Sequence, residues 1–270
     1  MLATMSGAAF AADLPSRVAP PVYMPPPIPV FTWTGAYFGI NAGYAFNADT
    51  RVTSINGTGT AFNAPGAFRS TADGFTGGGQ VGYNLQLPGF GGGFGGPGSG
   101  IVVGVEADAA YTDLSRGRTV GVFDNTGALG TGTFRTGLDY LGTVRGRVGY
   151  AFNQFLVYGT GGFAYGGVNN RATFRNAAGT VSFNGSNDDM ATGYAYGGGI
   201  EYALPTSSFL NFFKSSAVTL KAEYLHYDLG RSNVTAGASG ATTDSGAYNV
   251  RFKNEGDIVR AGLNYKFGSF

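Results

Sequence analysis

Cysteine is absent from the 270 residues, so neither a disulfide framework nor a thiolate metal site can be built. A single histidine, His226, removes His-rich metal centres and multi-histidine relays. No run approaches the roughly 18 apolar residues of a transmembrane helix, although half-apolar membrane strands stay open to this chain. Charge is scarce, at 12% of residues with a net of +1, so no basic field points to nucleic acid. Lysine is rare, and none of Lys214, Lys221, Lys253 and Lys266 follows a glycine. The low-complexity stretch 88–100, PGFGGGFGGPGSG, therefore lacks the Gly-Lys-Ser/Thr ending of a phosphate-cradling loop. What the chain has instead is glycine (48 residues) and aromatics (14%), a composition of many strands and turns.

Alternation appears most clearly in LDYLGTVRGRVGYAF, Leu138 to Phe152. Its even positions, from Leu138 and Tyr140 to Tyr150 and Phe152, carry no charge, whereas Arg145 and Arg147 share the odd set. A period of two is a strand, with one face for lipid and one for an interior. Seven further segments follow the same pattern: Thr34 to Phe46, Gly74 to Leu87, Ile101 to Thr112, Phe155 to Val168, Ala191 to Leu204, Ala217 to Asp228 and Asp257 to Phe267. The predicted fold is all-β, an eight-stranded antiparallel up-and-down transmembrane barrel. The two-residue link Asn153-Gln154 sets one register, pairing Phe152 with Phe155, Val144 with Phe163 and Gly142 with Tyr165. Large aromatics then lie across from glycines. A soluble lipocalin-like barrel would need apolar residues inside and polar ones outside, the reverse of this pattern.

Residues 1–12 read as the residue of a signal peptide, with a small-x-small site at Ala9-Phe10-Ala11. Residues 13–32 read as a Pro-rich periplasmic linker, since Pro15 to Pro29 holds seven of the 11 prolines. Residues 33–270 form the barrel, and Trp33, the one tryptophan, is expected as an interfacial anchor at its edge. Connections alternate between long (47–73, 113–135, 169–190, 229–256) and shorter (88–100, 153–154, 205–215). Long loops are expected outside the cell, which puts both termini in the periplasm.

The segments WTGAYFGINAGYAF, LDYLGTVRGRVGYAF, LVYGTGGFAYG, LKAEYLHYDLG and VRAGLNYKF together resemble the small outer-membrane β-barrel (porin-family) proteins of alphaproteobacteria. These are similar in barrel plan to the membrane domain of outer membrane protein A. The resemblance spans about 31–267. It implies a Gram-negative cell-envelope protein in contact with outer-membrane lipid and lipopolysaccharide, and recognition of a C-terminal aromatic by the barrel-insertion machinery. Phe267 is in outward phase for that signal, and Phe270 is the last residue.

Inward-phase charges are Glu106, Asp108, Arg145, Arg147, Glu201, Lys221, Glu223, Arg260 and Lys266, four acids against five bases. An eight-stranded interior is just wide enough for side chains to fill, so these are expected to pair into a structural network. The alternatives are a pore constriction, giving a small-solute channel, and a catalytic carboxylate pair. His226 falls in outward phase near the outer rim, with no serine beside it to make a lipid-modifying nucleophile; Ser232 would reach it only by loop folding. No catalytic, cofactor or metal residue is assigned, and the expected function is a non-catalytic envelope-structural and surface-contact role. Among the loop arginines, Arg116, Arg135, Arg171 and Arg231 are the candidates for lipopolysaccharide phosphate contact.

Overall fold

Alternation does close into a barrel. The structure is a computed structural model that describes residues 31–57, 68–88, 98–123, 127–205, 208, 210–211, 215, 217–239 and 246–268, without the side chains of 47–57, 68–72, 88 and 116. The signal-peptide residue, nearly all of the Pro-rich linker and Phe270 lie outside these. Eight antiparallel strands run β1 (Gly35–Gly57), β2 (Phe68–Pro88), β3 (Gly100–Phe123), β4 (Leu129–Phe152), β5 (Phe155–Arg175), β6 (Val181–Leu204), β7 (Ala217–Ala238) and β8 (Ala247–Phe267). Each pairs with the next, and β8 returns to pair with β1, so the sheet has no open edge.

The β4–β5 hairpin has the register expected from its short link: Phe152 faces Phe155, Val144 faces Phe163 and Gly142 faces Tyr165. Asn153 supplies the positive φ that the tight turn needs, at 58°, and asparagine tolerates that region. The Tyr165 ring covers Gly142 so closely that a Cβ there would meet it at 2.3 Å. Any larger residue at 142 would displace the ring.

The strands are much longer than expected. At 21–24 residues they exceed the roughly 9–11 that a bilayer crossing needs. The segments expected as long loops are largely strand: 47–73 shrinks to a link at 58–67, 113–135 to 124–128, 169–190 to 176–180 and 229–256 to 239–246. The contrast between long and short connections disappears with them. On β1, β3, β4 and β7 part of the reason is a β-bulge. Pairing shifts between Ala45 and Ala48, Tyr111 and Leu114, Leu138 and Tyr140, and Asp228 and Arg231. One extra residue reverses which parity faces in, so a strict two-residue pattern breaks there while the ladder continues. In β4 the odd residues Leu141, Thr143, Arg145 and Arg147 are buried below the bulge, and the even residues Phe134 and Leu138 are buried above it.

The two halves of the barrel also have opposite polarity, even on β5 and β8, where the even residues face in along the whole strand. The half nearer the termini exposes Ile40, Val81, Val105, Val144, Val157 and Ile200 and buries charges. The far half buries Val122, Phe134, Phe174, Phe183, Val234, Tyr248, Val250 and Phe252 in one apolar cluster. Its outward residues include Thr119, Thr133, Arg135, Arg171 and Asn184. The inside-out pattern of a soluble barrel, excluded for the whole chain, is what the far half adopts. Between the two lies a second apolar layer, with Leu114, Leu138, Leu141, Leu225, Tyr227 and Ile258.

Trp33 does not anchor the rim from outside. It turns into the mouth of the barrel at the terminal end, only 1% exposed, against Val102, Ala151, Leu156, Tyr158 and Ala203. Its indole donates to the Asn153 carbonyl at 3.0 Å, and its amide donates to Gln86 Oε1 at 2.7 Å. Phe31 meets it edge-on at 5.3 Å. A lumenal indole is wrapped in protein on all sides, and burying it satisfies its N–H as well. Its fluorescence should be blue-shifted and only weakly quenched by acrylamide or by brominated phospholipid. Strong quenching by the brominated lipid would return Trp33 to the interface.

Candidate functional site

The charged residues of the terminal half converge across the lumen because they are in inward phase on five different strands, β3, β4, β6, β7 and β8. Glu106 on β3 and Arg145 on β4 are direct register partners. Arg145 Nη2 lies 2.6 Å from Glu106 Oε1 and 2.9 Å from Asp108 Oδ2, and its Nη1 lies 3.2 Å from Glu223 Oε1 across the barrel. Its Nε donates to Thr143 Oγ1 at 2.8 Å, and its side chain is 0% exposed. Arg260 on β8 bridges Asp108 at 2.9 Å and Glu223 at 2.6 Å. Arg147 reaches Glu201 at 2.8 Å and Glu106 at 3.4 Å, with its guanidinium 4.0 Å over the Tyr158 ring. Lys221 donates to both Glu106 oxygens, at 2.9 and 3.0 Å.

Four acids thus face four bases, and the cluster is neutral. The fifth base, Lys266, is not part of it. Among the described residues no carboxylate lies within bridging distance of Lys266, whose ammonium instead sits 5.5 Å from the Phe31 ring at the barrel mouth. Its position near the end of β8, below the level of the acids, accounts for the separation.

Neutral donors complete the cluster, and several were not singled out from the sequence. Tyr37 donates to Glu106 at 2.7 Å, and Tyr158 donates to Glu223 at 2.9 Å. Thr143 donates to Asp108 at 2.5 Å, and Thr219 donates to Glu201. Asn264 donates to Glu201 at 3.0 Å, accepts from Gln80 at 2.5 Å, and Gln80 in turn accepts from Asn41 at 3.1 Å. Both tyrosines lie in the inward phase of their strands, and a phenol at the right depth serves a buried carboxylate as well as a charged donor does.

Every carboxylate in the cluster is engaged by cationic or hydroxyl donors. Among the described residues no group of three or more His, Asp or Glu is arranged to hold a metal. His226 lies on the outer face, its Nδ1 2.9 Å from Asp257, which also accepts from Tyr224 at 2.7 Å. The Ser232 hydroxyl accepts instead from Asn254 at 3.1 Å, beyond the β7 bulge. Phe267 faces outward, stacked on Phe38 at 5.5 Å. Of the four candidate arginines, Arg135 and Arg171 are register partners on β4 and β5, both exposed. Arg231 is exposed on β7 opposite Lys253, and Arg116 pairs by backbone with Thr136.

An outward apolar belt, a charged interior and ring closure together are the plan of an outer-membrane barrel. Over 243 residues the chain is 35% identical to the 31 kDa outer-membrane immunogenic protein of Brucella melitensis, covering 89% of this chain and 86% of that protein. The chain belongs to the outer-membrane β-barrel proteins of alphaproteobacteria. Within this family it is also 29% identical to the 22 kDa outer membrane protein of Rhizobium leguminosarum, over 88% of this chain and 80% of that one. Among solved structures it is similar to the outer membrane protein OprG from Pseudomonas aeruginosa, with TM-score 0.46 and 15% identity over 88% of this chain and 98% of that one. No protein-family model matches the chain. As an outer-membrane barrel, the protein meets lipid with the apolar belt of its terminal half.

Proposed function

We infer that this outer-membrane barrel is a closed, non-catalytic envelope protein with a structural and surface-contact role. The observation that carries the reading is the eight-charge cluster across the lumen, in which Arg145, Lys221 and Glu223 side chains are 0% exposed. Apolar layers lie on both sides of it, the Trp33 mouth toward the termini and the Leu138–Leu225 layer beyond. A hydrated ion crossing this interior would have to break several charge-assisted hydrogen bonds at once. Both termini belong in the periplasm, since an even strand number puts them on one side and the far half supplies the projecting extracellular part. Outer-leaflet lipid and lipopolysaccharide are the partners of that part, and Phe267 presents the aromatic surface for the insertion machinery.

Planar-bilayer recording on purified, folded protein tests the closure. The unmodified protein should show no large, steady conductance, with folding confirmed by a gel mobility that changes on boiling. Steady conductance would replace this reading by a small-solute channel. Acyl release from lipid that is lost in His226→Ala would replace it by an enzyme.

A further inference from the structure

Arg135 and Arg171 face each other directly across the β4–β5 pair. Like charges opposed across a ladder destabilise it. Among the described residues no carboxylate lies within 4 Å of either guanidinium, so neither is held in an ion pair. Both line a surface concavity of about 350 Å³ just beyond the apolar belt, where β3 to β6 turn polar. Gly137, Asp139 and Asp188 line it as well. Asn169 holds Asp139 in place by a 2.6 Å hydrogen bond. The recess therefore presents two cations and two anions to one ligand. Lower on the lipid-facing side, a second hollow of about 430 Å³ lies between Phe38, Val81, Ala109, Val144 and Tyr165, and is apolar.

We propose that this concavity is a headgroup site for a lipid whose phosphate ester carries an ammonium group. The phosphate sits between Arg135 and Arg171, where guanidinium forks match its oxygens and remove the repulsion between them. The ammonium reaches Asp139 and Asp188. A phosphate without the amine would set its charge against the two aspartates. The lower hollow, also bordered by β4, gives an acyl chain a place against the barrel wall. The chemistry is shared by an aminated phospholipid and by lipid A bearing phosphoethanolamine, and the proposal rests on the far half projecting from the outer leaflet.

Native mass spectrometry of the full chain in detergent tests the site. The lipids are phosphatidylethanolamine, phosphatidylglycerol, and lipid A with and without phosphoethanolamine. The unmodified protein should retain the amine-bearing forms about tenfold better than their amine-free counterparts. The R135Q/R171Q double variant should lose about tenfold in retention of the amine-bearing forms, and D139N/D188N should erase the amine preference alone. The better retained of the two aminated lipids is the source of the headgroup. Unchanged retention in R135Q/R171Q, or equal retention of phosphatidylethanolamine and phosphatidylglycerol by the unmodified protein, would overturn the proposal. Boiling-sensitive gel mobility shows that the variants are folded. Protease shaving of whole cells reports the orientation of the far half separately.

Discussion

Arg145→Ala should lower the stability of the barrel by roughly 3–5 kcal/mol, the cost of leaving buried carboxylates without their cation. One guanidinium bridges Glu106, Asp108 and Glu223, so its loss affects three acids on two strands. Arg260 and Lys221 compensate in part, because each still reaches at least one of the same acids. Arg145→Lys should recover only part of the loss, since a point charge cannot span the three sites that the planar fork reaches. Urea titration in micelles, read by Trp33 fluorescence, measures the change. The same variant removes the side chain at the centre of the lumen, so bilayer conductance should rise above the unmodified level. A shift below about 1 kcal/mol would mean that the cluster is solvated rather than sealed.

Phe174→Ala should act on the far half alone. Phe174 is fully buried, edge-on to Phe134 at 5.5 Å and 5.1 Å from Tyr248, so the truncation opens a cavity at the centre of the far cluster. A buried Phe→Ala change costs about 3–5 kcal/mol. The terminal half has its own lipid belt and charged core, so it should stay folded while the far half opens. Limited proteolysis in lipid vesicles separates the outcomes. The expected result is new cleavage between residues 113 and 138, or between 169 and 190, with boiling-sensitive mobility retained by the remaining core. Global loss of the barrel would show that the two halves fold as one cooperative unit.

The halves differ in how they were legible. In the terminal half, alternation is unbroken, lipid demands an apolar exterior, and the short Asn153-Gln154 link leaves one register for β4 and β5. Strand number, facing and the identity of the inward charges all follow from those local constraints. The sequence by itself also determines that Arg145 and Arg147 share a face. It does not determine which acids they meet, because Glu223 and Glu201 reach them across the lumen, through the shear and diameter of the closed sheet. Lys266 shows the limit from the other side: the right phase put it inside, but depth along β8 put it among aromatics instead of acids.

Only the tertiary structure decided the far half. Each bulge adds one residue, and a single residue exchanges the two faces of a strand. Beyond Asp139 the same β4 that buries Arg145 buries Phe134 and exposes Arg135. Read with fixed phase, that stretch looks like a polar loop; folded, it is a strand whose solvent has changed from lipid to water. Trp33 was decided in the same way. A tryptophan at the edge of a membrane strand suits the interface, and only the closed mouth of the barrel offers it both an apolar pocket and the Asn153 carbonyl. Local pattern records the solvent on each face, and closure of the sheet decides what fills the middle.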